Sequence, residues 1–293
     1  MRDFRTGDEE VLIRILRESF GSIEHLPRVR SDLSRTDPSR QSFFVIEKAG
    51  STLGCIAVVS LPRKNWYDLR YLAVRDAFSN LVISDELIQK AVANVEARGY
   101  EYLKATTPAV QPYVDLYKRF QFTPVRRTLR LAWDLTGGFG RRRHPTEVRE
   151  LSKDDAGRVG EMIVEGHLPY WDWWFEEQGG PEVRDWPGKF GFPVGAWLGS
   201  IQKGKLTSLA GFLSDAYGPG EARLECFCVL PGFRGVGIGS ALLSETLNRA
   251  KRFGQRKLVI YTFAYLDSLP PGAVTYLKSG AKIEGEYLQL KRN

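Results

Sequence analysis

The feature that most constrains this chain is that one pattern is written in it twice. Residues 71–105 lie over residues 226–260 without a gap: Val74 falls on Val229, Phe78 on Phe233, Leu87 on Leu242 and Gly99 on Gly254, each partner numbered 155 higher. Farther on, the stretch around Tyr117 matches the stretch around Tyr276, and the opening MRDFRTGDEE matches VRELSKDDAG from Val148. Similarity that keeps its order over several elements implies two copies of one fold, which the 293 residues can accommodate at roughly 150 per domain. Between them, TGGFGRRRHP carries turn residues and no hydrophobic period. The reading is therefore one domain over residues 1–136, a linker over 137–146 and a second domain over 147–293.

Each copy alternates its periods in the same way. In the first, apolar residues at Val11, Leu12, Ile15 and Leu16 have helical spacing, and the β-rich runs SFFVI and GCIAVVS flank the hairpin signal Ala49-Gly50. A strand over 66–74 follows, then a helix over 84–98 with Ser84 as N-cap and Gly99 just past its end, a strand, a short helix and a last strand. In the second copy the same succession runs from a helix over 154–165 to a final strand over 283–291. Strands first, then strands alternating with helices, predict an α/β fold: a mixed sheet with helices on both faces, repeated in tandem.

The stretch that carries chemistry is CFCVLPGFRGVGIGSALL, from Cys226 to Leu243. An apolar strand ends at Val229, and a loop holding Arg234, Gly235, Gly237 and Gly239 feeds an amphipathic helix. Glycines let successive amides curl toward one point, and the helix adds its own unpaired N–H groups and the positive end of its dipole. That combination suits a phosphate or pyrophosphate. It is not a P-loop, because Gly239-Ser240-Ala241 lacks the lysine. Nor is it a dinucleotide fingerprint, because the glycines are spaced G-x-G-x-G.

Arg234-Gly235-Val236-Gly237-Ile238-Gly239 resembles the signature of the GCN5-related N-acetyltransferase (GNAT) superfamily. The resemblance extends from about Val148 to the end and, more weakly, over the N-terminal half. It implies two tandem acyl-CoA N-acyltransferase domains. It also implies that the amides of Arg234 to Gly239 and of Ser240 hold the pyrophosphate of acetyl-CoA, and that the backbone of Phe227, Cys228 and Val229 pairs with the pantetheine arm. Tyr276 in Tyr-Leu-Lys-Ser-Gly-Ala matches the family's tyrosine that protonates or hydrogen-bonds the departing thiolate, with Ala281 in place of an aromatic and Pro270-Pro271 altering the helix entry. A tyrosine on a short amphipathic helix otherwise serves packing. The copy at the offset reads Ser79-Asn80-Leu81-Val82-Ile83-Ser84, with no arginine and no glycine. Its bulky side chains disfavour the left-handed angles of the loop, so the first copy is expected not to bind the coenzyme.

An attacking amine must be neutral, which calls for a base. Family members often carry a glutamate on the strand before the loop, and period-two geometry puts Glu225 on one face with Phe227 and Val229. It reads either as that base or as a strand-end carboxylate paired with Arg223. Residues 168–197 hold five of the seven tryptophans. By resemblance they line the acceptor site, with Trp171, Asp172 and Trp174 as candidates; aromatic density equally suits a domain interface.

The net charge of +7 fits a polyphosphorylated cosubstrate, and the run Arg141-Arg142-Arg143-His144 is too short to argue for nucleic acid. No stretch is long enough to span a bilayer, and the charged opening reads as an amphipathic helix and not a secretory leader. Three cysteines, Cys55, Cys226 and Cys228, suit a reducing cytoplasm. Cys226 and Cys228 share a strand face with no histidine nearby in sequence, so no metal is expected. The expected activity is transfer of an acetyl group from acetyl-CoA to a primary amine, on a small molecule or a protein, with no nucleic-acid or membrane partner. The alternative is an acyl-CoA-binding regulator of the same fold. A tRNA-dependent transferase would have no use for the loop.

Overall fold

The computed structural model describes residues 1–5, 7–20, 41–75, 81–137, 147–167, 195–202 and 204–292. The linker from residue 138 to 146, residues 79–80 and the aromatic segment with Trp171, Asp172 and Trp174 lie outside them. The chain forms two compact units: residues 1–128 with 265–267 and 286–293, and residues 129–264 with 268–285.

The first unit contains β1 (Arg2–Asp3), α1 (Glu9–Phe20), β2 (Gln41–Lys48), β3 (Ser51–Ser60), β4 (Trp66–Val74), α2 (Leu81–Arg98), β5 (Tyr102–Pro108) and α3 (Gln111–Lys118). Ala49 and Gly50 both have positive φ and turn β2 into β3, as the two central residues of a primed hairpin turn must. Alternation along these strands gives the sheet two apolar faces. Phe43, Val45, Cys55 and Ala73 pack under Leu12 and Ile15 of α1, while Phe44, Ile56, Leu69 and Val74 pack under Leu87, Ile88 and Ala91 of α2. Each of the Leu, Ile, Val and Phe side chains among them contributes roughly 1.5–3 kcal/mol by leaving water. The sheet runs β1-β2-β3-β4-β5 and then takes in the later part of β12 (Lys282–Arg292) and the earlier part of β6 (Phe122–Asp134). Residues 287–292 pair antiparallel with β5, and Leu290 is buried in the unit's core.

The second unit repeats the plan with β7 (Val148–Glu150), α4 (Ala156–His167), β8 (Gly195–Gln202), β9 (Lys205–Leu213), β10 (Glu221–Val229), α5 (Ile238–Arg252), β11 (Lys257–Ala264) and α6 (Pro271–Lys278). Its order is β6-β11-β10-β9-β8-β7, with Leu129, Leu131 and Trp133 of β6 in the core under α5 and α6. Met162 and Ile163 of α4 cover the other face with Cys226 and Cys228. The mixed sheet with helices on both faces is the one the sequence predicts.

The duplication extends to atoms. Arg2 forks onto Asp8 at 2.8 and 2.9 Å, and Arg149 onto Asp155 at 3.0 and 2.9 Å. Each carboxylate also accepts a backbone N–H at the turn into its helix, from Arg5 and from Ser152. One expectation fails: Ser84 is not an N-cap. Helix α2 begins at Leu81, and Ser84 is buried inside its first turns. Leu81 and Val82 are tolerated in an ordinary helical turn, so the helix starts earlier than its counterpart α5.

Candidate active site

Strands β10 and β11 run parallel, but their pairing covers only 221–223 against 257–259. In the first unit β4 and β5 pair over 66–69 against 102–105. The leading pairs, Trp66 with Tyr102 and Glu221 with Lys257, again differ by 155 in both members. Past Arg223, β10 continues to Val229, paired among the described residues only with β9, and the register slips at Glu225, which bulges between Leu224 and Cys226. The edge of β10 that faces away from β9 is left with main-chain donors and acceptors that no strand among the described residues uses, a template for an extended ligand. Phe227, Cys228 and Val229 lie on this stretch.

The edge leads into the glycine loop. A single 3₁₀ turn over Pro231–Phe233 is followed by Gly235 at φ +80° and Gly237 at φ +91°, and α5 begins at Ile238. Gly237 is the N-cap and offers no side chain, so the first-turn amides after it stay uncapped. A Cβ on Gly239 would stand 3.3 Å from Val229 Cγ2 and 3.6 Å from the Phe227 ring, so glycine lets the helix start lie against the strand end. Val236 and both positive-φ glycines are exposed. Arg234 turns inward: its Nε donates to the Val229 carbonyl at 2.9 Å and its Nη2 to the Gly166 carbonyl at 2.8 Å. It therefore ties the loop to the end of β10 and to the end of α4. The arrangement fits a pyrophosphate on an extended, amide-bearing tail.

Tyr276, on α6, is buried with its ring edge-on to Phe227 at 5.5 Å and to Trp133 at 5.6 Å. That brings it to the face of β10 that carries Leu224 and Phe227; because these two lie three residues apart across the bulge, the strict alternation that was to place Glu225 with Phe227 and Val229 does not hold there. Burial pushes the Tyr276 hydroxyl far above its ordinary value, so it remains a phenol and a donor. Tyr117 has the corresponding place in the first unit, buried and edge-on to Phe122 at 5.4 Å. Glu225 lies 3.0 Å from Arg223 Nε and is nearly sealed from solvent. At the equivalent positions of β4 stands Asp68–Arg70 at 2.7 Å, with the signs exchanged. An ion pair at this point of the strand is thus a property of both copies.

The sequence reading missed one neighbour. A ring nitrogen of His167, at the end of α4, lies within 4.8 Å of the sulfurs of Cys226 and Cys228. Nothing in the local pattern of either segment signals this. Only the packing of α4 across β10 brings them together.

The model of the acetyltransferase (GNAT) family matches residues 10–122 and again 160–268. Among solved structures, a GCN5-related N-acetyltransferase from Sphaerobacter thermophilus aligns with 99% of this chain and 94% of its own at 17% identity, TM-score 0.76. A tandem GNAT protein from the clavulanic acid biosynthesis pathway aligns with 99% of this chain and 96% of its own at 15% identity, TM-score 0.72. A glucosamine N-acetyltransferase region of a fungal multi-domain β-N-acetylglucosaminidase aligns with 99% of this chain and 37% of its own at 14% identity, TM-score 0.74. At these identities the structural likeness speaks for the fold. A search of curated protein sequences found no match.

Proposed function

Since this chain belongs to the acetyltransferase (GNAT) family, we propose that it moves an acetyl group from acetyl-CoA directly to a primary amine, and that only its second unit holds the donor. The observation that carries this reading is the course of β10: it parts from β11 after Arg223 and runs into an uncapped helix start through two positive-φ glycines. Residues 227–229 would pair with the pantetheine arm, and the amides from Gly235 to Ser240 would take the pyrophosphate. The donor supplies a thioester carbon open to attack. The first unit lacks the glycines, and Leu81 to Ser84 are already helix.

The chain's own residues have separate tasks in this reading. Tyr276, kept protonated by burial, donates to the departing sulfur. Glu225, paired with Arg223 at 3.0 Å, accepts the amine's proton on its way to solvent. Trp171, Asp172 and Trp174 are proposed to meet the acceptor.

A second reading, binding without transfer, is favoured by the same two residues, since Tyr276 packs on two aromatic rings and Glu225 has a cationic partner. Incubation with acetyl-CoA and a panel of primary amines, following released thiol, separates the two. Amine-dependent release that Tyr276→Phe slows supports transfer. Tight acetyl-CoA binding without release from any amine supports the second reading. Failure to bind acetyl-CoA at all rejects both.

A further inference from the structure

On the opposite face of β10 from Phe227, the alternation of the strand beyond the bulge turns Cys226 and Cys228 inward against α4. The helix is fitted to them. A Cβ on Gly166 would come within 2.7 Å of Cys228 Sγ, and that sulfur donates to the Met162 carbonyl at 3.6 Å. One residue on, His167 places a ring nitrogen among the two sulfurs, all three atoms lying within 4.8 Å of one another. Zinc bonds of about 2.3 Å to sulfur at a tetrahedral angle put ligand atoms roughly 3.8 Å apart, a small rotameric adjustment from this arrangement. From Cys226, Cys228 and His167 we infer a binding site for a thiophilic divalent cation, with Zn²⁺ the fitting ion and water in the fourth position.

The chemistry of the trio selects the ion. His167 Nδ1 lies 2.7 Å from the Ile163 carbonyl, which can only accept, so the proton is on Nδ1 and the lone pair on Nε2. A ligating histidine is commonly oriented by such a hydrogen bond from its other nitrogen. Cys226 and Cys228 are both buried free thiols. Binding is then an exchange: Zn²⁺ enters, two S–H bonds break, two Zn–S bonds form, and two protons leave to solvent. The two thiolates cancel the charge of Zn²⁺, so the product is electrically neutral, which suits a buried place.

The metal would join the same two pieces of chain that Arg234 joins. Cys228 precedes Val229, and His167 follows Gly166, the two residues whose carbonyls receive Arg234. The site thus secures the helix end to the strand end beneath the glycine loop. It does not rest on the proposed acetyl transfer.

The full chain, reduced and stripped with chelator, is titrated anaerobically with Co²⁺. We expect one equivalent to bind with a sulfur-to-cobalt charge-transfer band that Zn²⁺ displaces. Cys226→Ser and Cys228→Ser should each remove the band, Cys55→Ser should leave it, and His167→Gln should weaken Zn²⁺ binding by at least about tenfold. If the strand cysteines are needed for folding, X-ray absorption on the Zn²⁺-loaded wild type decides instead. Two sulfurs near about 2.3 Å and a nitrogen near about 2.0 Å support the site. No charge-transfer band in wild type, a band that depends on Cys55, or a shell of nitrogen and oxygen alone overturns it.

Discussion

At the scale of the residue, two substitutions divide binding from chemistry. Gly237 sits at φ +91° as the N-cap of α5, a conformation that costs a residue with a Cβ about 1–2 kcal/mol. Gly237→Ala should raise KM for acetyl-CoA about tenfold, near 1.4 kcal/mol, while Gly232→Ala, with open space around it and no positive φ, should leave it unchanged. Tyr276→Phe keeps the ring that packs on Trp133 and Phe227 and removes only the hydroxyl. The expectation is kcat lower by about 100-fold with KM for acetyl-CoA and the thermal midpoint nearly unchanged. Equal kcat in the two proteins would reduce Tyr276 to a packing residue. Because burial holds the phenol far above the assay range, Tyr276 should add no basic limb to the pH–rate profile. The glycines were legible in the sequence because φ is a property of one residue. The inward grip of Arg234 on Gly166, and His167 beside Cys226 and Cys228, were not, since each depends on α4 crossing β10.

At the scale of the element, the repeated Arg–Asp clasp at each helix entry is the measurable device. The Arg149 fork and the Ser152 amide hold Asp155 at a pKa of about 2, below its ordinary 3.8. A carboxylate depressed in the fold contributes its full stability above the unfolded value and loses it as pH falls toward the folded one. The thermal midpoint of the wild type should therefore decline from about pH 4 down to about pH 2. Asp155→Asn should be less stable at neutral pH and show a shallower decline over that window. Identical slopes would mean that the clasp stores nothing. Elements of this kind were largely readable: strand β4 and the turn at Ala49-Gly50 fall where alternation and turn chemistry put them. The misreading at Ser84 is instructive, since a residue type suited to capping was taken for a cap. Three apolar residues before it extended the helix, and packing buried the hydroxyl instead. Glu225 shows the same limit. Its pairing with Arg223 was among the readings the sequence offered, but the face that period two assigned it was not, because the bulge between Leu224 and Cys226 depends on the register with β9.

At the scale of the whole molecule, which unit a strand joins is not written in the strand's own pattern. Residues 282–292 form one unbroken strand, yet 286–292 count with the first unit. There they pair with β5, bury Tyr287 and Leu290, and carry Arg292, whose Nε donates to the Phe120 carbonyl at 2.9 Å and whose Nη1 meets Glu96 at 2.8 Å. The sheet of the first unit therefore depends on a strand more than 150 residues away from β5 along the chain. A chain stopped after Gly285 exposes β5 as an unpaired edge and removes the buried apolar side chains of Tyr287 and Leu290, a loss of at least about 3 kcal/mol if they behave as other large core residues do. Hydrogen exchange should then quicken over β5 and α3, whereas α5 and β11, which belong to the unit of residues 129–264 and 268–285, should keep their protection. Adding a peptide of residues 286–293 should restore protection in β5. Unchanged exchange in the shortened chain would show that the first unit closes without its distant strand.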